Sequence, residues 1–283
     1  ESFRNGQGYN DLSNLKESLQ GRFPVVPLSI QFGDESFIDG VTINHEQFYE
    51  KLVNGDVMPS TSQPTPDAFA QVYQQAMDAG DEVVVITVSS SLSGTYQSAT
   101  IAAMDFPADK IFIVDSQSVA IGAGILAELA LQLVEEGLTA EEIALRLEQE
   151  RERICVVAML DTLEYLKKGG RISSAVAFAG NVLGIKPVIT VKDGAVALLG
   201  KARGSKQGNN LLRELVSKVG GIDFSRPFAL AYSGCDDKLL QKYISDSSEL
   251  WEGKTSTLPI YTVGCCIGTH AGPGAIAVAF FKN

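Results

Sequence analysis

Short runs of aliphatic and β-branched residues alternate along this chain with longer amphipathic stretches. Glu82–Val88 (EVVVITV) is apolar without a break, which predicts a strand covered on both faces. Thr95–Met104 then takes helical spacing, and Lys110–Val114 is a second short apolar run. Val119–Glu136 reads as a second helix stopped by Gly137. Leu138–Arg153 reads as a third, opened by the capping box Thr139-x-x-Glu142. Strand, helix, strand, helix at this spacing predicts βαβ units and a largely parallel sheet.

The pattern changes after residue 153. Ile154–Met159 is strand-like, and Pro187–Val191 with Ala195–Leu199 forms a hairpin around Lys192-Asp193-Gly194. Ser205–Val219 and Lys238–Glu249 are helical; Pro227–Tyr232, Thr257–Val263 and Ala275–Phe281 are strands. The expected fold class is therefore α/β in two domains. Residues 1–153 form an N-terminal α/β domain with a largely parallel sheet, and residues 154–283 a C-terminal α+β domain with a mixed sheet. Glu1–Asn10 carries no hydrophobic period, so no element is assigned there.

Composition narrows the function. The 283 residues are 45% hydrophobic and 20% charged, and the formal net charge is -11. That balance speaks against nucleic acid, whose phosphates need clustered Lys and Arg, and against docking to an anionic membrane. Cys155, Cys235, Cys265 and Cys266 form no C-x-x-C pair, and there are two histidines, His45 and His270. No metal site is expected. Val119–Val134 is too short to span a bilayer and carries Glu128, so no stable membrane insertion is expected. With no basic region leading into an apolar segment at the start, the expected location is the cytoplasm.

Three loops carry candidate chemistry. Pro59–Pro66 (PSTSQPTP) leads into a helix near Asp67 and leaves the hydroxyls of Thr61, Ser62 and Thr65 beside exposed backbone N–H groups. Ser89–Ser98 (SSSLSGTYQS) lies where a strand ends and a helix begins, the usual ligand position in an open α/β sheet. Six Ser and Thr residues in ten exceed what capping needs. Gly94 admits close backbone approach, and the helix after it offers N–H groups to an anion. Gly264–Ala275 (GCCIGTHAGPGA) places His270 among glycines between two strands. Arg171, after Lys167-Lys168-Gly169-Gly170, is a further basic candidate.

Familiar catalytic signatures are missing. Gly122-x-Gly124 lacks the third glycine of a dinucleotide fingerprint, and no G-x-x-x-x-G-K-[ST] phosphate loop or G-x-S-x-G elbow occurs. Ser93, His270 and an aspartate such as Asp115 leave a hydrolase triad open as the alternative.

The order of these loops resembles the DegV family, the fatty-acid-binding subunits of bacterial fatty acid kinases. The matching pieces are Thr61–Pro66 (TSQPTP), Ser90–Ala99 (SSLSGTYQSA), Val114-Asp115-Ser116, Leu163–Ile172 (LEYLKKGGRI) and Gly268–Ala275 (GTHAGPGA), with Val25–Leu28 (VVPL) and Asp39-Gly40 earlier. The family's opening Asp-Ser-x-x-Asp-Leu turn is represented only by Asp11-Leu12. The resemblance implies a long-chain fatty acid held between the two domains, with no other cofactor and no catalysis by this chain. Thr61 and Ser93 would hydrogen-bond the carboxylate, with Ser62, Gly94, Arg171 and His270 around them. Arg203 would face a separate ATP-using fatty acid kinase subunit. A monomer fits the anionic surface. The acyl tail needs an apolar tunnel, for which Ile121, Leu126, Phe178, Leu183, Ile185, Ile189 and Phe280 are candidates, with Ala175–Ile185 as one wall.

Overall fold

The computed structural model describes residues 23–172 and 184–283. Glu1–Asn10, Asp11-Leu12, Phe178, Leu183 and most of the expected wall Ala175–Ile185 lie outside the described residues.

The elements run β1 (Ser29–Phe32), β2 (Glu35–Ile38), α1 (His45–Asn54), β3 (Ser60–Ser62), α2 (Pro66–Ala79), β4 (Val83–Thr87), α3 (Thr95–Ala103), β5 (Ile111–Asp115), α4 (Ile121–Glu135) and α5 (Ala140–Glu150). They continue with β6 (Ile154–Met159), α6 (Glu164–Lys168), β7 (Ile185–Lys192), β8 (Ala195–Arg203), α7 (Gly204–Lys218), β9 (Phe228–Tyr232), α8 (Lys238–Asp246), β10 (Ile260–Thr262), α9 (Cys265–Ala271) and β11 (Ile276–Phe281).

Among the described residues, the parallel portion of the first half is the β4–β5 pair, in register from Val83↔Ile111 to Thr87↔Asp115. A separate small antiparallel sheet, β2-β1-β3, was not revealed by the hydrophobic pattern. Its strands are three or four residues long and mostly polar on one face, too short for a period to register. The second half is built on a six-stranded mixed sheet, β10-β9-β11-β6-β7-β8. The expected hairpin is there: β7 and β8 pair antiparallel, and the turn places Asp193 at φ 51° and Gly194 at φ 76°, the two left-handed residues of a tight hairpin turn.

Alternation along the sheet divides the interior. Cys155, Val157 and Met159 of β6 face one side, where they pack with Leu212, Val216, Leu240 and Tyr243 of α7 and α8. Val156 faces the other side, where α4 and α5 supply Ile125, Leu126, Leu129, Leu133, Ile143 and Leu147. A helix layer thus covers each face, as continuous apolar strands require.

Local signals set the helix ends. Thr139 Oγ1 accepts from Glu142 N, and a Glu142 oxygen accepts from Thr139 N at 2.9 Å, the capping box read from the sequence. Thr65 caps α2, with Pro66 in its first turn. The stretches Leu138–Arg153 and Lys238–Glu249 each end as α-helix earlier than their pattern suggests, at Glu150 and Asp246, and finish in single 3-10 turns. The glycine-rich segment after β10 departs most from expectation: Cys265–Ala271 is a helix rather than a loop. Its cap is distant, since the Asp39 carboxylate accepts from Cys265 N at 3.2 Å and Cys266 N at 2.8 Å.

Candidate functional site

Strand alternation aims Thr61. β3 pairs with β1 in the register Ile30↔Thr61, so Thr61 turns inward while Ser60 and Ser62 are exposed. Ser93 is held by the turn after β4, where Leu92 N and Ser93 N donate to Ser89 O at 3.0 and 3.1 Å. Thr95 N donates to Ser93 Oγ at 3.3 Å, and the two hydroxyls lie 2.8 Å apart. With both the Thr95 N–H and O–H able to donate to it, Ser93 can turn its own proton toward the cavity.

Arg171 follows α6. Its guanidinium donates to Gly169 O at 2.7 Å and Leu92 O at 3.1 Å, tying the end of α6 to the Ser93 turn. His270 lies in the last turn of α9, 9% exposed, with Nε2 3.0 Å from Thr61 Oγ1. Burial pushes its pKa down to about 4, and the positive charge of Arg171 adds to the shift, so the ring is neutral at pH 7. Nδ1 is buried without a hydrogen-bond partner among the described residues. It lies against Gly169, where an added Cβ would run into the ring. A proton on Nδ1 would have no acceptor, so the favoured tautomer carries it on Nε2 and donates it to Thr61 Oγ1. The Thr61 O–H is then free to donate elsewhere. Two hydroxyl donors and a guanidinium beside a neutral imidazole make a site for a single anionic oxygen group.

These side chains open into one cavity, part of it open to solvent. Thr61, Ser93, Arg171 and His270 all line it, and most of the remaining wall is apolar. Val119, Ala120 and Ile121 form one side at the start of α4, and Ile189, Val191 and Val196 of the hairpin another. The six-stranded sheet forms the floor, where Ala158, Ala231 and Ala277, with Ala275 just before β11, line the cavity beside Val156. Ser89 Oγ donates to Gly194 O at 2.7 Å, fastening the hairpin tip to the turn that carries Ser93.

The remaining expected site residues lie elsewhere. Ser62 is exposed on the outward face of β3 and does not line the cavity. Gly94 does not line it either; it is the N-cap residue of α3, and the Gln63 amide fills the space that a Cβ there would need. Arg203 is exposed at the end of β8, away from the cavity wall. Of the expected tunnel residues, Ile121 and Ile189 line the cavity. Leu126 and Phe280 are fully buried in the cores on opposite faces of the large sheet, because composition does not distinguish core from cavity wall. Ile185 is half-buried at the start of β7 and does not line the cavity.

Sequence reasoning missed Leu28, Ala120 and Cys266 in the wall. Ala120 has φ 51° and ψ -131°, a backbone conformation costly for any residue but glycine. No sequence signal marks it. Asp115, a candidate third member of a triad, accepts from Ser90 N and Oγ and from Gln117 N instead. No group of His, Cys, Asp and Glu residues suited to a metal ion occurs among the described residues. No helix among them is long and apolar enough to cross a membrane.

Comparison with known proteins agrees with this architecture. A DegV domain-containing protein of Caldanaerobacter subterraneus subsp. tengcongensis is 35% identical over 275 residues, covering 96% of each chain. The solved structure described as "Fatty Acid Binding of a DegV family Protein from Thermus thermophilus" matches with a TM-score of 0.85 at 32% identity, over 97% of this chain and 98% of that one. A stearic-acid-binding protein from Eubacterium ventriosum matches with the same TM-score, 0.85, at 26% identity, over 96% of each chain. The family model described as "Uncharacterised protein, DegV family" matches residues 14–283, and the chain belongs to the DegV family.

Proposed function

We propose that this protein binds a long-chain fatty acid, with the carboxylate at Thr61, Ser93 and Arg171 and the tail over the alanine floor. The observation that carries this reading is one cavity in which Thr61, Ser93, Arg171 and His270 share a wall that is otherwise mostly apolar. An ionised carboxylate buried alone would cost many kcal/mol, and the hydroxyl and guanidinium donors offset that through charge-assisted hydrogen bonds. About fourteen methylenes at ~0.8 kcal/mol each contribute roughly 11 kcal/mol before the cost of association, so affinity comes mainly from the tail. The fatty-acid-binding relatives from Thermus thermophilus and Eubacterium ventriosum support the same ligand class.

The finer reading is a carrier. The chain holds the acid while a separate ATP-using kinase subunit phosphorylates it, and the exposed Arg203 contributes to the contact with that subunit. Residues 1–153 supply Thr61 and Ser93. Residues 154–283 supply most of the tunnel together with Arg171 and His270. The hydrolase alternative has less support, because His270 Nε2 faces Thr61 and Asp115 is engaged by Ser90 and Gln117.

Native mass spectrometry of the purified protein, followed by identification of any released molecule, tests the reading. A stoichiometric fatty acid is expected. Protein that arrives empty and takes up no added palmitic acid would overturn it.

A further inference from the structure

Burying a carboxylate is costly, and two acids among the described residues are buried. Glu150 lies between Arg146, Arg153 and Arg226, which balance its charge. Asp39, 1% exposed, instead faces the first turn of α9 through Cys265 N and Cys266 N. A helix of seven residues does not hold together on its own propensity, so an acceptor with a negative charge at its N-terminus stabilises it where it is most prone to fray.

The connections around Asp39 form a closed circuit. Asp39 directly follows β2, and its own N–H donates to Leu28 O at 3.0 Å. The same small sheet carries Thr61 on β3. From Asp39 the circuit passes along α9 to His270, and from His270 Nε2 back to Thr61 Oγ1 at 3.0 Å. Gly268 lies against Phe48 and Tyr49 of α1, and Gly272 against the Tyr165 ring, so the middle and end of α9 are already in contact. Asp39 fixes the remaining end. A movement of α9 that draws His270 back from β3 by half an ångström or more would take the 3.0 Å His270–Thr61 hydrogen bond to about 3.5 Å, beyond useful length.

We infer that Asp39 is a positioning residue: by gripping the start of α9 it sets the His270–Thr61 pair, and so the protein's preference for an acid over other long-chain lipids. This rests on the fatty-acid reading proposed above. Asp39 touches no ligand itself; it acts through the Nε2–H that frees the Thr61 hydroxyl proton.

The test measures binding of palmitic acid and of hexadecanol to the delipidated protein and to Asp39→Asn, with Tm recorded for both. Asparagine keeps the size but turns an amide NH2 toward one of the two N–H groups. Palmitic acid affinity is expected to fall at least tenfold while hexadecanol affinity changes less than twofold. Ring nitrogen NMR of His270 is expected to show one Nε2–H tautomer in the parent and a mixture in the variant. Equal loss for both lipids, or no loss for either, overturns the inference and leaves Asp39 with fold stability alone. A parent protein that binds both lipids equally, or neither, overturns the fatty-acid reading itself. If Asp39→Asn does not fold, Cys265→Pro replaces it. Gly264 before it is already extended, so proline fits the first helical position; it removes the Cys265 N–H and thiol and leaves the Cys266 N–H on Asp39. A partial loss of acid preference is then expected, and unchanged preference overturns the inference.

Discussion

At the scale of single residues, the head of the cavity depends on which atoms carry protons. Thr61→Val keeps the shape and removes the hydroxyl that His270 orients, so isothermal titration should show palmitic acid bound at least tenfold more weakly, with the fold intact. Unchanged affinity would remove Thr61 from the binding site. Gly169→Ala should act almost as strongly from outside the cavity, since its new methyl group has to displace the His270 ring. The low pKa of His270 also makes stability depend on pH. Its folded value, about 4, lies below the ordinary value of 6.5, so the unfolded chain binds more protons between the two. The contribution is complete above pH 6.5 and is lost as pH falls toward 4, an effect on the order of 3 kcal/mol. Denaturation of His270→Gln across that range should lack this part of the slope; an identical slope would show that His270 is not its source.

At the scale of elements, the start of α4 holds strain in the cavity wall. Ala120→Gly relieves a backbone conformation that costs alanine of order 1–3 kcal/mol, against roughly 0.5–1 kcal/mol lost to glycine's entropy. A modest rise in Tm is expected, whereas a fall would show that the strain is small. The elements also show how far a sequence can be read. The strands of the six-stranded sheet and the helices flanking it were legible because each has its own hydrophobic period or cap, as with Thr139 and Glu142. Thr61, Ser93, Arg171 and His270 were legible as candidates through hydroxyl density, rarity and family resemblance. Helix α9 was not legible, because its cap lies 226 residues away at Asp39 and its seven residues stand between Gly264 and Gly272, which make the segment look like a loop. Nor was the outward turn of Ser62, which follows from a three-residue strand whose register depends on β1.

At the scale of the whole molecule, the cavity wall draws on segments from Leu28 to Ala277, so unfolding dismantles it and releases whatever it holds. Ligand at a hundred times its Kd should therefore stabilise the protein by about 2.7 kcal/mol. Absence of a Tm shift with saturating palmitic acid would argue against a cavity formed by the native state. Arg203 is exposed and apart from this wall, so on the carrier reading proposed above Arg203→Ala should leave lipid affinity unchanged and lower phosphorylation of the acid by a partner kinase. Normal phosphorylation would exclude Arg203 from that contact. The alanines beneath the cavity have a consequence of their own. Because Ala231, Ala277 and Ala158 stand side by side on the neighbouring strands β9, β11 and β6 of a rigid sheet, each is a separate graduation on a ruler. Replacing one with valine shortens the space by a step without disturbing the polar end. A chain on this scaffold can thus change the lipid it accepts through small steps in the floor, with its polar end left as it is.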